Sequence, residues 1–179
     1  SDDVRQNEAF FSTLHPFIRN TVGSMEFGGV LLNKYLNKGN KQGQERLTTD
    51  AFQLATGVLY QNPVQMFALT PNNLTDTQGF IIDFMKSIPT TWDETLYIDG
   101  YPGKYAVIAR RNGDQWYIAG VNAQEEAIKL KLNLPMFAGK KVKLYNDDKN
   151  KETYLKELNI KSNGTAEITI QPKGGFVLK

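Results

Sequence analysis

Glu26 stands in the run Thr21-Val22-Gly23-Ser24-Met25-Glu26-Phe27-Gly28-Gly29, which carries a carboxylate out of a short apolar segment into a glycine-rich turn. Glycine lets the backbone turn sharply there without a Cβ penalty. A carboxylate at the end of a strand can bind a sugar hydroxyl, help to hold a cation or support a general acid. A surface glutamate in a turn gives the same local pattern. His15 is the only histidine and cysteine is absent. Histidine-based metal clusters, thiolate sites and disulfides are therefore excluded, and His15 reads as a packed or capping residue. Asp93 and Glu94 are adjacent acids, but neighbours on an extended chain diverge, which makes them poor paired carboxylates. Trp92, Tyr105, Trp116 and Tyr117 could form a sugar-stacking platform. Trp116 and Tyr117 point to opposite faces of a strand, however, so one of them is core, and Trp92 is placed to pack between two domains. No GxGxxG, P-loop, Gly-x-Ser-x-Gly elbow or HExxH is present.

Two kinds of element must position these residues. Up to about residue 88 the periods are helical and mixed. Ala51, Leu54, Ala55, Val58 and Leu59 share one helical face, with Thr48 or Thr49 as N-cap and Asp50 beside the dipole. That helix ends before Asn62-Pro63. Val64 to Leu69 reads as a strand buried on both faces, Phe80 to Met85 as a helix, Asn20 to Phe27 as an earlier strand and Glu8 to Phe17 as an earlier helix. Helix, strand, helix, strand, helix suits the final units of a (β/α)8 barrel, although a buried antiparallel arrangement gives the same local signals.

From about residue 90 the grammar changes to short strands. They are predicted at Leu96 to Ile98, Lys104 to Arg110, Trp116 to Val121, Ile128 to Leu134, Lys141 to Tyr145, Glu157 to Ile160, Ala166 to Ile170 and Phe176 to Lys179. Turn signals such as Pro102-Gly103, Asn112-Gly113, Asn163-Gly164 and Gly174-Gly175 separate them, as in an antiparallel sandwich. Asn112-Gly113 is expected to form a two-residue type I′ turn. The fold class is thus α+β: residues 1–89 the remnant of a barrel, and residues 90–179 an antiparallel β-sandwich expected to fold by itself. Net charge is +2, from 21 basic and 19 acidic residues. That balance argues against a nucleic-acid partner, and Lys140-Lys141-Val142-Lys143 reads as the solvated face of a strand. No apolar run approaches the roughly 18 residues of a membrane span. Ser1-Asp2-Asp3 reads as a start inside a longer protein.

Four segments resemble glycoside hydrolase family 97, the α-glucosidases and α-galactosidases found mainly in Bacteroides and relatives. They are HPFIRNTVGSMEFGG (His15 to Gly29), TTDAFQLATGVLYQNPVQMFALTPNN (Thr48 to Asn73), FIIDFMKSIPTTWDET (Phe80 to Thr95) and GKYAVIARRNGDQWYIAGVNA (Gly103 to Ala123). Two departures stand out: Glu26 replaces an aspartate common in the family, and Ser24 replaces a proline. The resemblance implies a parent enzyme that hydrolyses α-glycosidic bonds of glucosides or galactosides in the periplasm. It implies a catalytic role for Glu26, and a calcium ion held by glutamates, with Glu8 at a metal-associated position. An oligosaccharide substrate reaches the intact parent, and the sandwich offers structural support or a homo-oligomer contact. Glycoside hydrolysis needs two carboxyl groups from different strands, so this chain alone is expected to be inactive. A non-catalytic sandwich module for carbohydrate binding or oligomerisation is the other reading.

Overall fold

The computed structural model describes residues 2–18, 30–32, 34–35, 43–60, 67–68 and 77–179. Helix α1 (Asp2–Ile18) begins before the predicted Glu8 and takes Pro16 into its last turn. Strand β1 (Val30–Leu31), for which the sequence predicts no element, pairs in parallel with β2 (Phe67–Ala68). Between them runs α2 (Asp50–Leu59). Thr49 is its N-cap: the backbone there is extended (φ −80°, ψ 169°) and the hydroxyl accepts from the Phe52 amide, which satisfies one of the first-turn donors. Every residue from Ala51 to Tyr60 is buried, so α2 has no solvent face. Helix α3 (Gly79–Ser87) follows. The strand expected over Asn20 to Phe27 lies outside the described residues, as does most of Val64 to Leu69.

All eight strands expected after residue 90 are present: β3 (Glu94–Tyr101), β4 (Tyr105–Asn112), β5 (Gln115–Asn122), β6 (Ile128–Asn133), β7 (Lys141–Asp147), β8 (Thr153–Asn159), β9 (Thr165–Ile170) and β10 (Gly175–Leu178). They form a six-stranded antiparallel sheet, β3-β4-β5-β10-β7-β8, and an antiparallel pair, β6-β9. Alternation along β4 assigns the two faces. Val107 and Ala109 point toward the β6-β9 layer, where they meet Leu130, Leu132, Ile168, Phe176 and Leu178. Ile108 points the other way, into a second core with Phe52, Leu54, Leu59, Ile81, Phe84, Tyr117 and Val177.

This second core is shared between the helices and the large sheet. The strands alone do not bury both faces of the large sheet, because its outer face is closed by α2 and α3. Gly175 makes the approach possible: a Cβ there would stand 2.7 Å from the Phe52 Cα. One correction concerns the hairpin. Asn112 pairs with Gln115, so the turn residues are Gly113 and Asp114, one place later than expected. Gly113 has φ 56° and Asp114 is not among the positive-φ residues. Positive φ at the first central position alone is the type II′ pattern, not type I′.

Candidate functional site

The densest polar chemistry among the described residues is the seam where α2 meets the sandwich. At the helix N-terminus, Asp147 at the end of β7 is 2% exposed. Its Oδ2 accepts from the Thr49 hydroxyl at 2.6 Å and from the Gly175 amide at 3.3 Å, and its Oδ1 accepts from the Thr153 hydroxyl at 2.7 Å. Thr153 in turn accepts from the Ala51 amide at 3.0 Å. Thr49 thus caps its helix and ties it to the sheet with one hydroxyl. Burial pushes the Asp147 carboxyl up to about 6 against the lowering effect of these donors, and the nearby Asp50 charge adds to the rise. Asn146, one residue earlier, donates to the Thr169 carbonyl and so ties the same strand to the second layer.

At the other end of α2 the charge is reversed. Arg110 on β4 is 0% exposed, and its Nη2 donates to the Leu59 carbonyl at 3.0 Å. Its guanidinium lies 6.0 Å from the Trp92 ring, within cation–π range. Burial lowers its pKa to about 10. A carboxylate at the N-terminus and a guanidinium at the C-terminus both match the helix dipole.

The residues singled out from sequence fall into place around this seam. Glu8 on α1 is half-buried. Its Oε1 accepts from Gln53 Nε2 at 2.7 Å and its Oε2 from the Thr48 hydroxyl at 3.3 Å. Gln53 also donates to Thr48 at 3.0 Å. Calcium needs several hard oxygen ligands, and no group of three or more His, Cys, Asp or Glu side chains converges among the described residues. The Gln53 and Thr48 contacts join α1 to α2 through the Glu8 carboxylate. Glu26 lies outside the described residues. His15 is buried with its ring 4.5 Å from that of Tyr60, whose hydroxyl shares a 2.9 Å hydrogen bond with Ser12.

The aromatic platform is not assembled. Trp92 packs edge-on to Tyr117 at 5.3 Å in the helix-side core, whereas Trp116 and Tyr105 lean on the inter-sheet core. Asp93 and Glu94 both pair with Arg111, and Asp93 also accepts from the Gly113 amide, so both serve the hairpin. A polar cleft of about 590 Å³ opens beside the α2 N-terminus, with Arg46, Thr48, Asp50, Asn150, Lys151 and Glu152 among its walls. Sequence reasoning missed Asp147 and Arg110. Asp147 stands in Asn146-Asp147-Asp148, a run of residue types that signals a turn and hides a buried carboxylate. The signal for Arg110 was available: Arg110-Arg111 in a strand must face opposite sides, and only Arg111 has the acidic neighbours.

A family model described as the glycosyl-hydrolase 97 C-terminal domain, with the note oligomerisation, matches residues 91–179. A retaining α-galactosidase of Bacteroides thetaiotaomicron is 31% identical over 94% of this chain, which spans only 27% of that enzyme's length. Among solved structures, a β-arabinopyranosidase is 61% identical with a TM-score of 0.96, covering 99% of this chain and 28% of its own. A family 97 enzyme from Pseudoalteromonas sp. strain K8, in complex with acarbose, is 26% identical with a TM-score of 0.76 over 93% of this chain and 27% of its own. The likeness runs through the helices as well as the strands, and the chain belongs to glycoside hydrolase family 97, with that family's C-terminal domain in residues 91–179.

Proposed function

We propose that this chain is the C-terminal portion of a glycoside hydrolase, in which residues 1–89 complete the wall of a catalytic (β/α)8 barrel and residues 90–179 brace that wall and join copies of the enzyme. The observation that carries this reading is the parallel pair β1-β2 with the buried helix α2 between its strands. Parallel strands connected through a helix are the repeating unit of such a barrel, whose chemistry sits at strand C-termini. In this reading the start of α2 lies toward the catalytic face, and Asp147 fixes it there.

The relatives named for α-galactosides and β-arabinopyranosides narrow the substrate. In the L series a β-arabinopyranoside has the ring configuration of an α-D-galactoside without the hydroxymethyl group, so one pocket shape serves both. The intact protein is therefore proposed to cleave α-galactoside or β-L-arabinopyranoside bonds. Glu26 is proposed to follow a barrel strand and support the reacting centre. A calcium ion held by glutamates, with Glu8 at the metal-associated position, is proposed for the whole protein. On the same likeness the compartment is proposed to be the periplasm; cell fractionation that finds the full-length protein in the cytosol would refute this.

The test of function is hydrolysis of aryl α-galactoside, β-L-arabinopyranoside and α-glucoside by the full-length protein, beside residues 1–179 alone. Turnover of the first two by the full-length protein and none by the shorter chain is expected. Exclusive turnover of the glucoside would overturn the substrate assignment. Turnover by residues 1–179 would show that carboxyl groups within this chain suffice.

A further inference from the structure

A run of polar contacts leads from the sandwich to the chain that leaves strand β1. It starts at the buried Asp147, whose Oδ2 accepts from the Thr49 hydroxyl at 2.6 Å. The same hydroxyl caps α2 by accepting from the Phe52 amide at 3.1 Å. Thr153 makes a second link, donating to Asp147 Oδ1 at 2.7 Å and accepting from the Ala51 amide at 3.0 Å. The Thr49 amide donates to the Lys173 carbonyl at 3.1 Å, so the sandwich grips the cap residue by its backbone as well. In the first turn of α2, Asp50 pairs with Arg46, whose side chain is only 9% exposed. Such a pair is not a loose, solvent-screened surface contact. The Arg46 amide in turn donates to the Lys34 carbonyl at 2.8 Å, and Tyr35 and Glu45 form an antiparallel bridge beside it.

Topology gives this network a direction. Strands β1 and β2 are parallel with α2 between them, so the end of β1 and the start of α2 share one face. In a (β/α)8 barrel the chemistry sits on that face, at the strand C-termini. The connection from β1 to α2 therefore starts and ends there, and its two stems, Lys34-Tyr35 and Glu45-Arg46, are tied to each other and to the helix start. What anchors the helix start is not a barrel residue but a carboxylate 98 positions further along the chain, in the sandwich.

We propose that Asp147 is a positioning residue for the glycoside-cleaving reaction of the intact enzyme, acting through Thr49 and the first turn of α2 on the connection that follows β1. This rests on the reading of residues 1–89 as part of a catalytic barrel. Asp147 touches no substrate in this role; it sets where a segment of the catalytic face stands. Small displacements suffice for a kinetic effect, since a misplacement of about 1 Å at a reacting centre can cost about 100-fold in rate. Discrete hydrogen bonds and an ion pair, each with a named partner, form a contiguous path along which such a displacement passes.

The test is steady-state kinetics of the full-length protein on aryl α-galactoside and β-L-arabinopyranoside at neutral pH, with a thermal melt of each variant. Asp147→Asn keeps the size of the side chain but turns one acceptor into a donor. It should lower kcat and kcat/KM alike, by about tenfold or more, with the melt unchanged or raised. Thr49→Val removes the linking hydroxyl and should lower kcat by a similar factor, whereas Thr49→Ser keeps it and should stay within about twofold of wild type. The double variant Asp147→Asn, Thr49→Val should fall no further than the worse single one, because both lie on one path. Gly120→Ala, which overpacks the Phe176 ring in the other core, should lower the melt and leave kcat within about twofold. An active wild type with Asp147→Asn and Thr49→Val both within about twofold of it would overturn the positioning role and leave the enzyme reading standing. So would a loss with Gly120→Ala as large as with Asp147→Asn, which would trace the effect to stability alone. A loss with Thr49→Val but not with Asp147→Asn would also overturn it, by ending the path at the helix cap. A wild type inactive on both substrates and on aryl α-glucoside would overturn the reading and the role together.

Discussion

Replacing Asp147 with asparagine should change how the stability of this protein depends on pH, and the structure sets both sign and size. The carboxyl is 2% exposed, and burial raises its pKa from 3.8 to about 6. A group whose folded pKa lies above its unfolded value stabilises the fold fully below the unfolded pKa. It loses that contribution as pH rises through the folded one. Two pKa units correspond to about 3 kcal/mol, so ionising Asp147 should withdraw about that much stability between pH ~4 and pH ~7. Asparagine does not titrate. It keeps the shape but turns one acceptor into a donor facing Thr49 or Thr153, at a cost of about 1–3 kcal/mol. The variant should therefore be clearly less stable than wild type near pH 4 and equal or more stable near pH 7. Urea unfolding of both proteins across that range isolates the effect, because other carboxylates cancel in the difference. A difference that stays constant within about 0.5 kcal/mol from acid to neutral would refute the buried-carboxylate argument.

Three further outcomes follow from named contacts. Gly120→Ala should cost about 1–3 kcal/mol by overpacking, because a Cβ there would come within 2.4 Å of the buried Phe176 ring; an unchanged unfolding midpoint would mean that the ring moves aside freely. Gly113→Val should cost about 1–3 kcal/mol, since the turn holds that residue at φ 56°; a variant as stable as wild type in denaturant would show that the hairpin relaxes to another turn. In the full-length enzyme, Glu26→Gln should lower kcat by about 100-fold or more if the carboxylate supports charge in the transition state. A fall of less than about threefold, with stability unchanged, would return it to a surface role.

The sandwich strands were legible because each depends on local pattern. In Ile128-Lys129-Leu130-Lys131-Leu132 the leucines are buried and the lysines exposed, as period-2 alternation requires. Helix α2 was equally plain from its apolar spacing and its threonine cap. The grip on that helix was not legible. Ala106-Val107-Ile108-Ala109-Arg110 is buried throughout, and a continuous buried run signals cover on both faces without saying what supplies it. A single arginine or aspartate in a strand reads the same whether it reaches water or turns inward. What decided the matter was contact across sequence: Leu59 lies 51 positions before Arg110, and Thr49 lies 98 before Asp147. Glu8 was ambiguous for the same reason, since its partner Gln53 is 45 residues away.

The magnitudes at the seam separate stability from positioning. Charges matched to a helix dipole give about 0.3–1 kcal/mol each, and about 2 in partly buried settings. The raised pKa of Asp147 already includes the gain from its three donors, and it still leaves ionisation unfavourable by about 3 kcal/mol. At neutral pH the carboxylate therefore weakens the fold more than the dipole can restore. What it supplies is direction. The Thr49 and Thr153 hydroxyls and the Gly175 amide all point at one group, and two of these donors also hold first-turn amides of α2. Apolar packing of Phe52, Leu54, Val58 and Leu59 already holds the helix against the sheet. The polar contacts at its two ends, Asp147 through Thr49 and Arg110 through the Leu59 carbonyl, add a fixed point at each end. In the proposed enzyme, that fixed helix start sets where the loop above it can stand.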